Sequence, residues 1–92
     1  MVEFERDNKK AAENLKKHDV SFDEARTAFG DPLSLTIPDP EHSEDEFRYL
    51  LLGITDSRRL LVVSHTYRGQ RIRIINARIA TSRERKDYES TG

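Results

Sequence analysis

The 92-residue sequence contains no cysteine, no tryptophan and only three prolines. The absence of cysteine excludes disulfides, thiolate metal ligands and cysteine nucleophiles. No apolar run approaches the roughly 20 residues that a membrane-spanning helix needs. The first seven residues lack a basic region followed by an apolar one, so they do not resemble a signal peptide. Together these absences predict a cytoplasmic protein with no membrane segment.

Motifs for the common catalytic chemistries are also missing. The three histidines are dispersed and have no cysteine beside them, so the sequence offers no metal-ligand spacing. There is no glycine-rich phosphate loop and no Gly-x-Ser-x-Gly elbow. We therefore expect no metal, no cofactor and no nucleophilic side chain.

Charge is divided unevenly along the chain. Residues 1–46 hold thirteen acidic and six basic residues, hence a net charge of −7, whereas residues 47–92 hold four acidic and ten basic residues, hence +6. Nine of the ten late bases are arginine, and between Phe47 and Arg83 the only acid is Asp56. Because guanidinium groups match phosphate geometry, this imbalance predicts an anion-binding surface rather than internal salt bridges.

Apolar periodicity, turn signals and two capping boxes, at 21–24 and 81–84, predict one α+β domain over residues 1–92. The predicted order is a short strand, a two-helix hairpin, a four-stranded antiparallel meander and a C-terminal helix. In the first helix, an apolar stripe is expected from Ala11, Ala12 and Leu15. The expected segments are strand 2–6, helix 8–17, a helix from 21 to about 29, strands 33–37, 46–54, 60–67 and 70–78, and a helix from 81 to about 88, with a polar loop at 38–45.

The turn at Arg68-Gly69 leaves two hairpin registers open. A two-residue turn places His65 opposite Ile72, whereas a three-residue loop places His65 opposite Arg73. The second register would group His65 and Arg73 with Tyr67 and Arg71. In that grouping His65 is a candidate general acid or base near neutral pH, and its alternative role is that of a half-buried structural histidine.

Further candidates lie on the meander. Arg48, Arg71, Arg73 and Arg78 could hold a phosphate, or they could simply protect a water-facing sheet. Glu46 could pair with Arg48 or act as a base. Since the 2′-hydroxyl of RNA can itself be a nucleophile, cations and a proton carrier suffice for RNA cleavage.

Several segments resemble the BrnT toxins of bacterial type II toxin–antitoxin systems. They follow the family's order from Phe4 to Tyr88, although Arg6 stands where the family usually has an aromatic residue and Asn76 where it has Ser. The segments that carry the resemblance are Asn14–Ala25, Phe29–Pro32, Arg73–Arg78, Glu84-Arg85 and Tyr88.

The resemblance implies a RelE-like fold and metal-independent cleavage of mRNA that inhibits translation. It implies that Arg48, Arg73 and Arg78 hold the phosphate while His65 or Glu46 moves protons. Arg71, Tyr67 and Asn76 are the candidate RNA-binding residues. It also implies a BrnA-like antitoxin, assembly into a heterotetramer and contact with promoter DNA only through that complex. The alternative is a non-catalytic RNA- or protein-binding module of the same fold.

Overall fold

The computed structural model describes residues 2–42 and 46–90, so part of the predicted loop, residues 43–45, lies outside the described residues. The α+β class is confirmed. The elements in chain order are β1 (Glu3–Glu5), α1 (Asn8–His18), α2 (Phe22–Thr27), β2 (Leu35–Pro38), β3 (Arg48–Ile54), β4 (Leu60–Arg68), β5 (Arg71–Ile79) and α3 (Ser82–Ser90), with 3₁₀ turns at Ala28–Gly30 and Pro40–His42.

The strands form one five-stranded sheet in the order β1-β5-β4-β3-β2. The predicted antiparallel meander is present as β2 to β5. The sheet gains a fifth member, because β1 pairs in parallel with β5, with Glu3 opposite Arg71 and Glu5 opposite Arg73. The N-terminal strand therefore carries its acidic side chains into the arginine-rich end of the sheet.

Both predicted registers of the β4–β5 hairpin are wrong. The turn is Gly69-Gln70, one residue later than expected, and it places Tyr67 opposite Ile72 and His65 opposite Ile74. Gly69 has φ = +60°, a left-handed conformation that glycine adopts without steric cost. A register shift between Ser64 and His65 then moves the pairing by one further residue.

Helices α1 and α2 cover one side of the sheet, which we call the helix-covered face. Phe22 and Ala25 of α2 are buried there, and Phe29 packs against them, as the three- and four-residue spacing predicts. The sheet contributes alternate residues to this core, including Leu51, Leu61, Val63, Ile74 and Ala77. Because side chains alternate along a strand, the intervening residues occupy the opposite side.

Helix α1 departs from its predicted apolar stripe. Leu15 is 50% exposed, whereas Asn14 is 5% exposed. The amide nitrogen of Asn14 donates to the carbonyls of Val20 and Ala77, both at 2.9 Å, and its oxygen accepts from the Ala77 amide at 3.1 Å. The helix therefore packs against the polar backbone of β5, and an amide satisfies that backbone where an aliphatic side chain could not.

Helix α3 begins at a capping box, as predicted. The Thr81 hydroxyl accepts from the Glu84 amide, and the Glu84 carboxylate accepts from the Thr81 amide. Near its end, the Tyr88 hydroxyl donates to Asp31 at 2.5 Å, which raises the pKa of Tyr88 to about 12. Within residues 2–42 and 46–90, no helix has the length and apolar character needed to cross a membrane.

Candidate functional site

The side of the sheet opposite α1 and α2 displays most of the candidate arginines, and we call it the arginine face. One line of paired residues crosses four strands there: Arg48 pairs with Thr66, Thr66 with Arg73, and Arg73 with Glu5. With strands about 4.8 Å apart, the Cα atoms of Arg48 and Arg73 are separated by about 10 Å. We call Arg48, Thr66 and Arg73 the arginine row. Its two guanidinium groups can approach one phosphate from β3 and β5, the strands on either side of β4.

Arg78 lies on the arginine face but away from the row. It pairs with Val62, four residues from Thr66 along β4, which corresponds to about 13 Å. The Arg78 guanidinium donates to both carboxylate oxygens of Glu84, at 2.8 and 2.9 Å. This pair lowers the pKa of Glu84 to about 2 and raises that of Arg78. Arg78 therefore shares a face with Arg48 and Arg73, but it does not converge with them on one point.

Asn76 and Arg71 complete the polar surface of β5. Asn76 is exposed and pairs with Ser64, so it stands between the arginine row and Arg78. Arg71 is next to the turn of the hairpin, opposite Arg68, and its guanidinium contacts Glu3 at 3.0 Å. Both residues border the row, as expected for residues that contact an extended ligand.

Carboxylates from β1 neutralise part of this surface, so the expectation of an unbalanced arginine set is wrong. Glu5 contacts three guanidinium groups, at 3.3 Å from Arg73, 3.7 Å from Arg68 and 3.8 Å from Arg71. The local sequence around the arginines contains almost no acid, but β1 supplies acids from 68 residues away.

The two β1 acids are functional candidates that the sequence analysis missed. A signal for them was present, because the alternation Glu3-Phe4-Glu5 is the charge complement of Arg71-Ile72-Arg73. Opposite charges on directly paired residues stabilise a sheet register. Comparison of these two tripeptides could therefore have predicted that β1 pairs with β5, although both patterns are symmetric and do not give the strand direction.

Glu46 stands just before β3 and contacts Arg68, with 3.6 Å between its carboxylate and the guanidinium. Its side chain is 35% exposed. This position puts a partly solvated carboxylate beside the arginine row, where it is accessible to a bound ligand.

His65 and Tyr67 lie on the helix-covered face, so the predicted grouping of these two residues with Arg71 and Arg73 is wrong. The shifted turn is the cause, since a one-residue slip moves a strand's side chains to the other face. His65 is fully buried, with ring centroids 4.9 Å from Phe29 and 6.0 Å from Tyr49. Tyr67 is 52% exposed at the rim.

The environment of His65 favours its neutral form. Burial lowers its pKa, only partly opposed by the hydrogen bond between Nδ1 and the Val63 carbonyl at 3.1 Å. Its Nε2 atom is buried without a hydrogen-bond partner. The ring therefore has no path to a ligand on the arginine face. Throughout residues 2–42 and 46–90, no cluster of three potential metal ligands is present.

Comparison with known proteins shows the family. The family model described as "Ribonuclease toxin, BrnT, of type II toxin-antitoxin system" matches residues 7–84. The chain belongs to the BrnT family. Among solved structures, this BrnT-family chain matches the ribonuclease toxin BrnT of Brucella abortus at 18% identity and a TM-score of 0.69, over 89% of this chain and 100% of that one. That likeness shows the shared fold. No curated protein sequence matches significantly.

The family match indicates which chemical groups to look for on the arginine face. As a member of a ribonuclease toxin family, the chain needs a surface that binds RNA phosphate and stabilises the charge formed during cleavage. The arginine row supplies two cationic forks, and Glu46 and Glu5 supply the nearby carboxylates. The matched region begins at Asp7, so β1 and its two acids precede it.

Proposed function

We propose that this chain is a metal-independent endoribonuclease toxin that cleaves mRNA in the cytoplasm and thereby inhibits translation. The observation that carries the proposal is the arginine row of Arg48, Thr66 and Arg73 on the sheet face opposite α1 and α2 of a BrnT-family chain. Two arginines on the rigid strands that flank β4 hold fixed positions, which is what stabilisation of a phosphoryl transition state requires.

In the proposed reaction, the RNA 2′-hydroxyl attacks the adjacent phosphorus and the bond to the 5′-oxygen breaks. The products are a 2′,3′-cyclic phosphate and a 5′-hydroxyl. Arg48 and Arg73 neutralise the charge that builds on the non-bridging oxygens. Glu46 takes the proton from the 2′-hydroxyl, because its carboxylate borders the row and is partly solvated, and the departing 5′-oxygen takes a proton from water.

The remaining candidates take supporting roles in this proposal. Asn76, Arg71 and Arg78 contact the RNA on either side of the scissile phosphate, since all three share the arginine face. Tyr67 contacts RNA only where the strand passes the rim of the sheet. His65 serves a packing role, because it is buried on the opposite face among aromatic rings.

The proposed partners follow from the family. The toxin of a type II system is controlled by an antitoxin protein, which we propose is BrnA-like and forms a heterotetramer with this chain. Promoter DNA is bound only through that complex. The product of the gene adjacent to the toxin gene is the natural protein to test in this role.

Incubation of the purified chain with mRNA in EDTA tests the activity. We expect discrete cuts whose fragments end in a 2′,3′-cyclic phosphate and a 5′-hydroxyl. Glu46→Gln should reduce the cleavage rate about 100-fold while leaving RNA binding intact. Glu13→Gln, the same change on exposed helix α1, should have no effect. Salt-dependent RNA binding without cleavage by the wild type would favour the non-catalytic module instead.

A further inference from the structure

An aliphatic groove lies beside the arginine row, on the same face of the sheet. It has a cavity volume of about 170 Å³, and its lining comes from β2, β3 and β4. The aliphatic lining residues are Leu35, Ile37, Leu50, Leu52 and Val62. Ile37 is 57% exposed and the neighbouring Ile54 is 36% exposed. Such a contiguous apolar surface is typical of a protein-binding site.

Alternating apolar residues of β2 form one side of this groove. Their alternation predicts a strand with one buried face. Leu35 pairs with Leu52 and Ile37 with Leu50, so these side chains form a continuous surface across the two strands. Helices α1 and α2 lie on the other side of the sheet, and α3 reaches only one wall of the groove.

No other part of this sequence supplies a suitable cover. Residues 43–45 are Ser-Glu-Asp and residues 91–92 are Thr-Gly, so neither segment contains an aliphatic side chain. Met1 precedes β1, which is at the edge of the sheet opposite β2.

Charge around the groove discriminates between a protein and RNA. Glu84 and Asp87 of α3 form one wall; Arg78 pairs with Glu84, so the carboxylate of Asp87 leaves this wall negative, which disfavours a phosphate backbone. The residue pair Ile37–Leu50 is two positions along β3 from Arg48, or about 7 Å. A ligand that fills the groove with aliphatic side chains and then presents carboxylates to Arg48 and Arg73 would match both surfaces.

We infer that this groove is the docking site for an amphipathic segment of the antitoxin, whose aliphatic side chains fill the groove and whose following acidic side chains cover the arginine row. The inference rests on the proposed function, because it takes the partner to be the antitoxin of this toxin. It adds the location and the chemistry of the contact. Antitoxin and RNA then exclude each other, since both require Arg48 and Arg73.

Calorimetric titration of the full chain with the product of the adjacent gene tests the inference. Ile37→Asn should weaken the complex at least tenfold. Leu15→Asn is the matched control, because Leu15 has a similar exposure of 50% and lies on helix α1. We expect its affinity to remain within twofold of the wild type. Both changes are uncharged, so neither alters the RNA-binding electrostatics, and melting curves verify that both variants fold.

Three results would overturn the inference. They are equal affinity of both variants, absence of any complex with the wild-type chain, and wild-type self-association that Ile37→Asn abolishes, which would make a second copy the occupant. RNA cleavage is measured separately on the same variants. A groove-dependent complex with no cleavage by the wild type contradicts the proposed activity alone, whereas normal cleavage with a groove-independent complex contradicts the docking site alone.

Discussion

We expect Glu5 to restrain the affinity of the arginine face for RNA, and Glu5→Gln tests this directly. Its carboxylate is within 3.8 Å of three guanidinium groups, and it is opposite Arg73 in the arginine row. A phosphate bound to Arg73 would come close to this carboxylate. Two unit charges about 4–5 Å apart in a water-like dielectric interact by about 1 kcal/mol. Removal of the negative charge should therefore tighten RNA binding about fivefold.

The salt dependence of binding gives a second readout of the same substitution. Each arginine freed from Glu5 that contacts a phosphate should steepen the slope of log K against log salt by about 0.7 for single-stranded RNA. Fluorescence anisotropy with a labelled RNA oligonucleotide at several NaCl concentrations measures affinity and slope together. The fold should be almost unaffected, since exposed ion pairs contribute at most about 1 kcal/mol to stability.

Glu13→Gln makes the same change of net charge on α1, at an exposed position away from the arginine face. If both variants bind RNA equally, the effect is one of overall charge and the role given to Glu5 is wrong. Weaker binding by Glu5→Gln than by the wild type would show that Glu5 positions the arginines for RNA rather than competing with it.

Further predictions concern stability and pH. Asn14→Leu removes three hydrogen bonds to buried backbone groups and should lower the free energy of unfolding in urea by about 3 kcal/mol; a loss below about 1 kcal/mol would contradict this account of α1. Gly53→Ala should lower the free energy of unfolding by about 2 kcal/mol, because the added methyl carbon would lie 2.8 Å from the backbone oxygen of Ala28. Gly30→Ala, where nothing lies within 4 Å of the added carbon, should lower it by less than half as much. Because burial lowers the pKa of His65 in the folded chain, the unfolded chain binds more protons below about pH 6.5. The free energy of unfolding should therefore fall as the pH drops below that value, and His65→Leu should reduce this pH dependence. An unchanged pH dependence in the variant would refute the role given to His65.

Local signals in the sequence were sufficient for most elements. The two capping boxes, the spacing of Phe22, Ala25 and Phe29, and the short turns of the meander fixed the helices and the antiparallel order. These features act over a few residues, so the chain itself displays them. Family resemblance pointed to the same ribonuclease class that the family model shows.

Features that depend on distant contacts were not predictable in the same way. The register of β4 and β5 depends on a one-residue difference in the position of the turn at Gly69, and glycine permits several turn types of similar energy. Burial of Asn14 in place of Leu15 depends on the backbone of β5, more than 60 residues away. Neutralisation of the arginines by Glu5 likewise requires the parallel pairing of the first strand with the last.

The misplaced register had the largest consequence for the candidate site. It grouped His65 with Arg73, whereas the actual pairing puts them on opposite faces. Arg48, Arg73 and Arg78 share one side of the sheet, but only Arg48 and Arg73 stand in one row. To tell which side of the sheet a side chain occupies, one needs to know which residues pair across the strands. The alternation of residue types alone does not provide that pairing.

We propose that the arginine row performs RNA cleavage. The most direct test is the single-turnover cleavage rate in EDTA, at saturating protein, of Arg73→Ala beside Lys16→Ala. Lys16 is an exposed residue of α1, so its loss changes the net charge equally on the other side of the sheet. We predict a rate about 100-fold lower for Arg73→Ala and an unchanged rate for Lys16→Ala. Equal rates for the two variants would contradict this proposal.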